Sequence, residues 1–260
     1  MATSAATFDN NILRWAHEQG LPWQQLKYRL VQSNLAKHLR PGPLHVLDAG
    51  GGNGFDSIPL AQQGHEVEIV DYSTEMLAQA KRAAALTQTQ ERIRLHHADL
   101  RDVQDLFPEA QFDLVLCHNV LQYMDDTRSL LKNLVAALKS GGLISVVGIN
   151  RYSIAYRTAF AGGDLAQALM ELDARSTRAI IFDVTLRAYS AEEVGEMLES
   201  AGCAVEQDYG VRCICDYWGD NDLKSDPTVF AQLEQLEFAL TERHPYKLLA
   251  RYFQVVARKA

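Results

Sequence analysis

The sequence predicts an α/β fold: a mostly parallel sheet of seven strands with helices on both faces, preceded by a helical segment and carrying a helical cap insertion. Three observations predict it. Short apolar runs alternate with helical periodicities from residue 44 to residue 150, a glycine-dense loop follows the first run, and two late β-rich runs bracket a helix. Strands alternating with helices at this spacing indicate βαβ units, because parallel neighbours need a long crossover that covers the sheet faces.

The elements follow in order. Residues 11–40 carry helical anchors at Leu13, Trp15, Leu26, Leu30, Leu35 and Leu39, interrupted by Gly20 and Pro22 and ended by Pro41-Gly42-Pro43. Leu44–Ala49 is the first strand, followed by the glycines and a helix over about 55–63. Glu66–Val70, Ile93–His97 and Phe112–Cys117 are the next three strands, with a helix at 74–87. A helix at 126–139, a Gly141-Gly142 turn and the strand Leu143–Ile149 complete the regular part. Residues 151–188 read as a mixed, mainly helical cap, and Ser190-Ala191-Glu192-Glu193 as a capping box opening a helix that ends at Gly202. Cys203–Asp216 reads as a strand, Thr228–Arg243 as an amphipathic helix, and Tyr252–Val256 as the last strand, an antiparallel hairpin interrupted by that helix. The expected division is therefore 1–43, a helical segment; 44–150, the core; 151–188, the cap; and 189–260, the rest of the same sheet.

Composition narrows the function classes. Apolar residues are 47% and charged residues 22%, ordinary for a globular protein. The first eleven residues contain Asp9 and no apolar run, and no stretch approaches the roughly 18 apolar residues of a membrane span, so a cytoplasmic location is expected. A net charge of −8 argues against broad non-specific nucleic-acid binding, which rests on Lys and Arg at phosphates, yet leaves room for a local basic face. The four cysteines, Cys117, Cys203, Cys213 and Cys215, lack metal-site spacing and read as buried thiols, the last two on one side of a strand.

Chemistry concentrates at strand ends. Four glycines occupy five positions in Asp48-Ala49-Gly50-Gly51-Gly52-Asn53-Gly54, more than a tight turn requires. Glycine permits positive φ and close backbone approach, and a loop after the first strand of such a sheet lies where ligands bind. The dinucleotide fingerprint fails, since the sixth position is Phe55 from Gly50 and Ser57 from Gly52, and no Lys-Ser/Thr ending marks a phosphate loop. An acid, Asp48, stands instead at the strand's end. It would repel a pyrophosphate and suits a cationic ligand such as the ammonium and sulfonium of S-adenosylmethionine. Asp71, closing the second strand, is a candidate ribose acceptor, or a helix cap for the segment from residue 74. Asp99, with Leu100 beside it, is a candidate partner for an adenine amino group, with a plain capping role as the alternative.

These marks together resemble the class I S-adenosylmethionine-dependent methyltransferases over roughly residues 44–150. The glycine loop, the Asp71 strand end, Phe112-Asp113-Leu114-Val115 and Leu138-Lys139-Ser140-Gly141-Gly142 carry the resemblance. It implies a Rossmann-like core, S-adenosyl-L-methionine as cofactor, and Cys117-His118-Asn119-Val120-Leu121 as the floor of the site. His118 then packs the cofactor. A catalytic base and a structural histidine are the other readings.

A second resemblance spans most of the chain with short motifs. Gly210-Val211-Arg212, Asp216-Tyr217, Pro245-Tyr246, Arg251-Tyr252 and the closing Val-Ala-Arg-Lys are similar to the bacterial tRNA 5-carboxymethoxyuridine methyltransferases. Leu26-Lys27 falls where that family has Leu-Arg at the cofactor, so Lys27 keeps the charge without the guanidinium fork, and Arg29 lies close by in sequence. Where that family carries a lysine-rich run, residues 164–188 hold Arg175, Arg178 and Arg187 interspersed with acids.

Methyl transfer from a sulfonium is an in-line displacement governed mainly by positioning. A carboxylate acceptor, ionised at neutral pH, needs a cation to orient it and no general base; Arg212 and Arg251 are the candidates for that fork, with ordinary salt-bridged arginine as the alternative. An amine or hydroxyl acceptor would call for a base, His118 or a tyrosine. No catalytic triad or metal set is apparent. Three readings follow: a tRNA carboxylate methyltransferase, a methyltransferase of small metabolites enclosed by the cap, which the acidic balance favours, and a non-catalytic cofactor-binding module.

Overall fold

The computed structural model describes residues 19–179 and 184–260. The expected anchors Leu13 and Trp15 lie outside the described residues. Helix α1 (Pro22–Ala36) begins at Pro22, where the missing N–H is one that a helix start leaves unpaired anyway. Leu26 and Leu30 of α1 are buried in a cluster with Val147 and Val211, and Leu35 is buried in a different one with Leu44 and Val46.

The regular part then runs β1 (His45–Ala49), α2 (Ile58–Gln62), β2 (Glu66–Asp71), α3 (Thr74–Leu86), β3 (Ile93–His97), α4 (Val103–Leu106), β4 (Phe112–His118), α5 (Thr127–Ala137) and β5 (Leu138–Ile149). After it come α6 (Ser153–Phe160), α7 (Leu165–Met170), β6 (Ser176–Ala179), β7 (Val184–Arg187), α8 (Ala191–Ser200), β8 (Cys203–Val211), α9 (Asn221–Ser225), α10 (Pro227–Leu240) and β9 (Tyr252–Lys259).

Seven strands form one sheet in the order β3-β2-β1-β4-β5-β9-β8, with β9 antiparallel to both neighbours and the other pairs parallel. The period of two sorts side chains to the two faces. Leu47, Val115, Ile144 and Val255 face α5 and α8 through Leu131, Leu134, Val194 and Leu198. Val46, Leu114, Leu143 and Val256 face the other way, against Leu35, Leu60 and Leu77. Each such fully buried aliphatic side chain contributes about 1.5–3 kcal/mol, so the layering is what makes the strand ends rigid. Strand order reverses between β1 and β4, and the crevice outside their carboxyl ends is where ligands bind in open α/β sheets.

Three expectations are corrected. The Gly141-Gly142 segment is not a turn before the fifth strand. It lies inside β5, which pairs Leu138 with Phe112 and Leu143 with Leu114 across an irregularity. The cap is not wholly helical: β6 and β7 form an antiparallel ribbon beside α6 and α7. The Cys213-Ile214-Cys215 segment is not strand. Arg212 adopts φ +63, turning the chain out of β8 one residue after it ends. The buried Glu237 carboxylate then accepts the backbone N–H groups of Cys213 (2.5 Å), Ile214 (2.9 Å) and Cys215 (2.8 Å), which supplies the pairing a strand neighbour would have given. All four cysteines are free and buried. Ser190 and Glu193 do form the capping box at α8.

Candidate active site

The loop after β1 is pinned by its backbone. Gly50 N and Gly51 N donate to Val70 O of β2 at 2.8 and 3.3 Å. Gly50 has φ +72, and a Cβ there would stand 2.5 Å from Val120 Cγ2. A Cβ on Gly51 would stand 2.4 Å from the Asp48 carboxyl group. The glycines are therefore demanded first by the turn and by the chain's own packing, a sharper reason than ligand approach alone.

The loop bounds a cavity of about 760 Å³ at the β1/β4 crevice, a size typical of small-molecule sites. Its lining includes Lys27, Gly50, Gly51, Gly52, Asp71, Asp99, Leu100 and His118. Nearly every residue that the sequence assigns to a cofactor is thus brought to one wall. Asp48 is the exception, standing behind the loop and almost fully buried. Burial, then the nearby Asp56 charge, pushes its carboxyl up to about 7, and its Oδ2 has no hydrogen-bond partner among the described residues.

Asp71 is held on both oxygens, Oδ2 accepting from Gly52 N (2.9 Å) and Oδ1 from Ser73 N (2.8 Å). One carboxylate so ties the glycine loop to the start of α3. Asp99 accepts from Arg101 N (2.9 Å) and takes the Arg101 guanidinium on both oxygens (3.0 and 2.6 Å), so the capping alternative describes its contacts here. His118 closes β4, its Nε2 2.8 Å from Ser145 Oγ and its Nδ1 3.2 Å from Asp56 Oδ1. The second distance is ion-pair range without hydrogen-bond alignment. Asp56, Tyr28 and Tyr123 also line the cavity and were missed in the sequence, where Asp56 reads merely as the start of a helix.

Lys27 is buried with its Nζ 4.4 Å from the Tyr28 ring centre and 5.6 Å from that of Tyr252. Burial lowers its pKa, but Tyr28, Tyr252 and Asp56 outweigh that and raise it, so it stays charged. On the Tyr252 ring two more cations converge, Arg212 at 5.6 Å and Arg251 at 5.4 Å. One aromatic ring thereby joins the cavity to an arginine cluster.

That cluster corrects the two-arginine fork. Arg212 is already engaged: its guanidinium grips Asp216 through Nε (2.6 Å) and Nη2, and Nη1 donates to Gln24 Oε1 (2.7 Å). Both partners are buried, and Asp216 is held below the usual carboxylate range because Arg212 overcomes the penalty of burial. Arg251 instead donates only to Ser153 Oγ (3.2 Å) from its side chain, among the described residues. Both arginines flank the closing strands rather than lie on them, joined by Arg251 N to Arg212 O (2.9 Å). Arg157, on α6, sits close enough that burial, then the Arg251 and Arg212 charges, lower its pKa. Arg212 alone contacts Asp216, and the charges of Arg251 and Arg157 add to its hold on the ionised carboxylate.

A methyltransferase-domain family matches residues 46–142. The tRNA 5-carboxymethoxyuridine methyltransferase of Escherichia coli strain K12 is 32% identical over 242 residues, 93% of this chain and 87% of that protein. The chain belongs to the class I S-adenosylmethionine-dependent methyltransferases. The ubiquinone biosynthesis O-methyltransferase of Coxiella burnetii is 33% identical over 121 residues, 46% of this chain and 50% of that one. The crystal structure of Burkholderia thailandensis 1,6-didemethyltoxoflavin-N1-methyltransferase with S-adenosylhomocysteine shares the fold at TM-score 0.61 and 20% identity, covering 98% of this chain and 88% of that one.

As a member of these methyltransferases the chain uses S-adenosyl-L-methionine, and the cavity suits it. Apolar Leu100, Val120 and Met124 line it together with acids at the strand ends and one buried cation, as an adenosine joined to a charged amino acid requires. Among the described residues no helix is long and apolar enough to cross a membrane, and no His/Cys/Asp/Glu group could hold a metal.

Proposed function

We propose that this methyltransferase methylates the carboxylate of a 5-carboxymethoxyuridine-type modification in tRNA. The observation that carries the reading is the arginine cluster: Arg157, Arg212 and Arg251 around the single carboxylate Asp216, joined to the cofactor cavity by the Tyr252 ring. Two buried guanidinium groups, Arg212 and Arg251, with the exposed Arg157 beside them, outnumber the carboxylate and suit an anionic acceptor. The Escherichia coli relative, similar over nearly its whole length, supports the tRNA acceptor.

The lining of the cavity and the family resemblance support the following roles. Gly50, Gly51, Gly52 and Asp71 hold the ribose side, Asp99 and Leu100 the base, Lys27 and His118 the amino-acid end. When bound, S-adenosylmethionine supplies an electrophilic methyl group on a sulfonium. A carboxylate acceptor is already ionised at neutral pH (reference pKa about 4), so no side chain needs to remove a proton. Arg251 and Arg157 orient it, while Arg212, neutralised by Asp216, fixes the wall on which Arg251 stands. Positioning is the chain's contribution to the rate.

Incubation with labelled S-adenosylmethionine and bulk tRNA, against a small-metabolite extract, tests the acceptor. Label in a base-labile methyl ester on tRNA is expected; label confined to the metabolites sinks the reading. Arg251→Ala is expected to lower kcat/KM on tRNA by about 100-fold, as loss of a charge-assisted pair does, with S-adenosylhomocysteine binding unchanged.

A further inference from the structure

Helix α6 presents two aromatic rings to solvent. Ser153, Tyr156, Arg157 and Phe160 stand at i, i+3, i+4 and i+7, so the helical period sets them on one stripe. The stripe begins buried and ends in the open: Ser153 has no exposed surface, Tyr156 is 42% exposed and Phe160 67%. Ser153 Oγ accepts from Arg251 Nη1 (3.2 Å), which fixes the inner end of the stripe on the arginine cluster. Aromatic rings carry a large apolar area that folding usually buries, so two left open beside the exposed Arg157 fit a partner.

Tyr217 ties the rings to the cluster a second time. It follows Asp216 in sequence, and its hydroxyl donates to the carbonyl oxygen of Leu249, just before Ala250 and Arg251. Its ring meets that of Tyr156 edge-on at 6.1 Å, and the Tyr156 and Phe160 rings lie 5.7 Å apart at 32°. From the cofactor cavity outward the order is therefore Lys27, Tyr252, the arginines around Asp216, Tyr217, Tyr156 and Phe160. A methyl donor, a carboxylate and the ring that bears the carboxylate must stand in that same order.

The chemistry of the stripe selects its partner. It holds no aliphatic side chain; the Arg157 guanidinium stands between the two rings in sequence, and Arg151 lies 4.9 Å from the Tyr152 ring at the start of the same helix. Rings interleaved with guanidinium groups fit a planar, anionic polymer, whose unpaired bases stack on the rings while the cations meet its phosphates. A duplex keeps its base faces covered and gains only the charge. Exposed Leu165, Leu169 and Met170 lie on the next helix, α7, and make a second copy of the chain the competing occupant.

We propose that Tyr156 stacks on the pyrimidine ring that bears the acceptor carboxylate and Phe160 on the next unpaired base, so that α6 seats an unpaired RNA loop with its carboxylate at Arg251. The proposal rests on the tRNA carboxylate as acceptor. Tyr156 and Phe160 are binding residues, and neither is among those lining the cofactor cavity.

Fluorescence anisotropy with two labelled RNAs tests it: a hairpin with unpaired uridines in its loop, and a blunt duplex of equal length and charge. The hairpin is expected to bind more tightly by about 5- to 100-fold, the worth of stacking a base on an aromatic ring. Tyr156→Ala is expected to lose that factor, and Tyr156→Phe, which keeps the ring, to stay within about twofold. S-adenosylhomocysteine affinity in calorimetry is expected to stay unchanged in both variants, which shows them folded. Equal binding of hairpin and duplex, full hairpin affinity in Tyr156→Ala, or a loss in Tyr156→Phe as large as in Tyr156→Ala overturns the proposal. A dimer in sedimentation that Phe160→Ala dissolves, with hairpin affinity unchanged, gives the face to a second copy and overturns it as well. Turnover separates the stacking from the acceptor on which it rests. Labelled tRNA with an unchanged KM in Tyr156→Ala overturns the stacking and leaves the acceptor. Unlabelled tRNA, with hairpin binding still lost in Tyr156→Ala, overturns the acceptor and leaves the stacking face.

Discussion

The cofactor wall and the arginine cluster sit on the same sheet yet are built in opposite ways. The wall is local: Asp71 and His118 close parallel strands, and Gly50–Gly52 and Asp99 come just after the carboxyl ends of two others. The cluster is assembled from afar. Arg157 comes from α6, Arg212 from the end of β8, Asp216 from the turn beyond it, Arg251 from the start of β9, and Gln24 from α1. The first kind of site depends on a strand order that hydrophobic periodicity dictates. The second depends on how separate elements dock, and its charges are buried enough that each mismatch is expensive.

Breaking the cluster should therefore cost stability, whereas breaking the wall should cost binding. Asp216→Asn leaves the Arg212 guanidinium buried without its carboxylate, and a loss of about 3–5 kcal/mol is expected in denaturant unfolding. A loss under 1 kcal/mol would mean that the cluster is solvated and the contrast false.

Asp48 tests the wall through pH. Its folded carboxyl is pushed up to about 7 against a reference value of 3.8, so the folded chain holds a proton that the unfolded chain has released. Its contribution to stability is full below about pH 4, declines as pH rises, and is gone above about pH 7. Asp48→Asn is expected to gain on the unaltered chain by up to a few kcal/mol across that window, measured as the difference between the two unfolding free energies. A difference that does not change with pH refutes the assignment.

Asp71→Ala frees the N–H groups of Gly52 and Ser73 and removes a cavity carboxylate. S-adenosylhomocysteine binding is expected to weaken by about 1–3 kcal/mol in calorimetry, with a smaller change in unfolding. The smallest effect serves as the control. Ser190→Ala deletes the capping box of α8, remote from both sites, and should cost about 1 kcal/mol of stability with cofactor affinity and turnover per folded molecule unchanged.

The same contrast explains what was legible in the sequence. Strand ends were found within a residue or two at β1, β2, β3 and β4, because a buried parallel strand must be an apolar run and glycine or an acid marks where it stops. The course of the chain after β8 was not found. Cys213-Ile214-Cys215 alternates like a strand, and only the distant Glu237 carboxylate, with the left-handed turn at Arg212, makes it a loop. Asp56 was missed because nothing within the loop distinguishes a helix-opening acid from one that faces His118. The arginines were found individually, but their division of labour was not.

Sequence by itself determined the layered sheet, the glycine loop behind which Asp48 is buried, and the placement of Asp71 and His118 at one crevice. Those follow from period, turn chemistry and strand-end position, all short-range. Tertiary structure alone decided that Arg212 belongs to Asp216, that Arg251 does not, and that Tyr252 joins the cluster to Lys27. Charge pairing inside a protein is set by distance and burial, and neither is written in the spacing of residues along the chain.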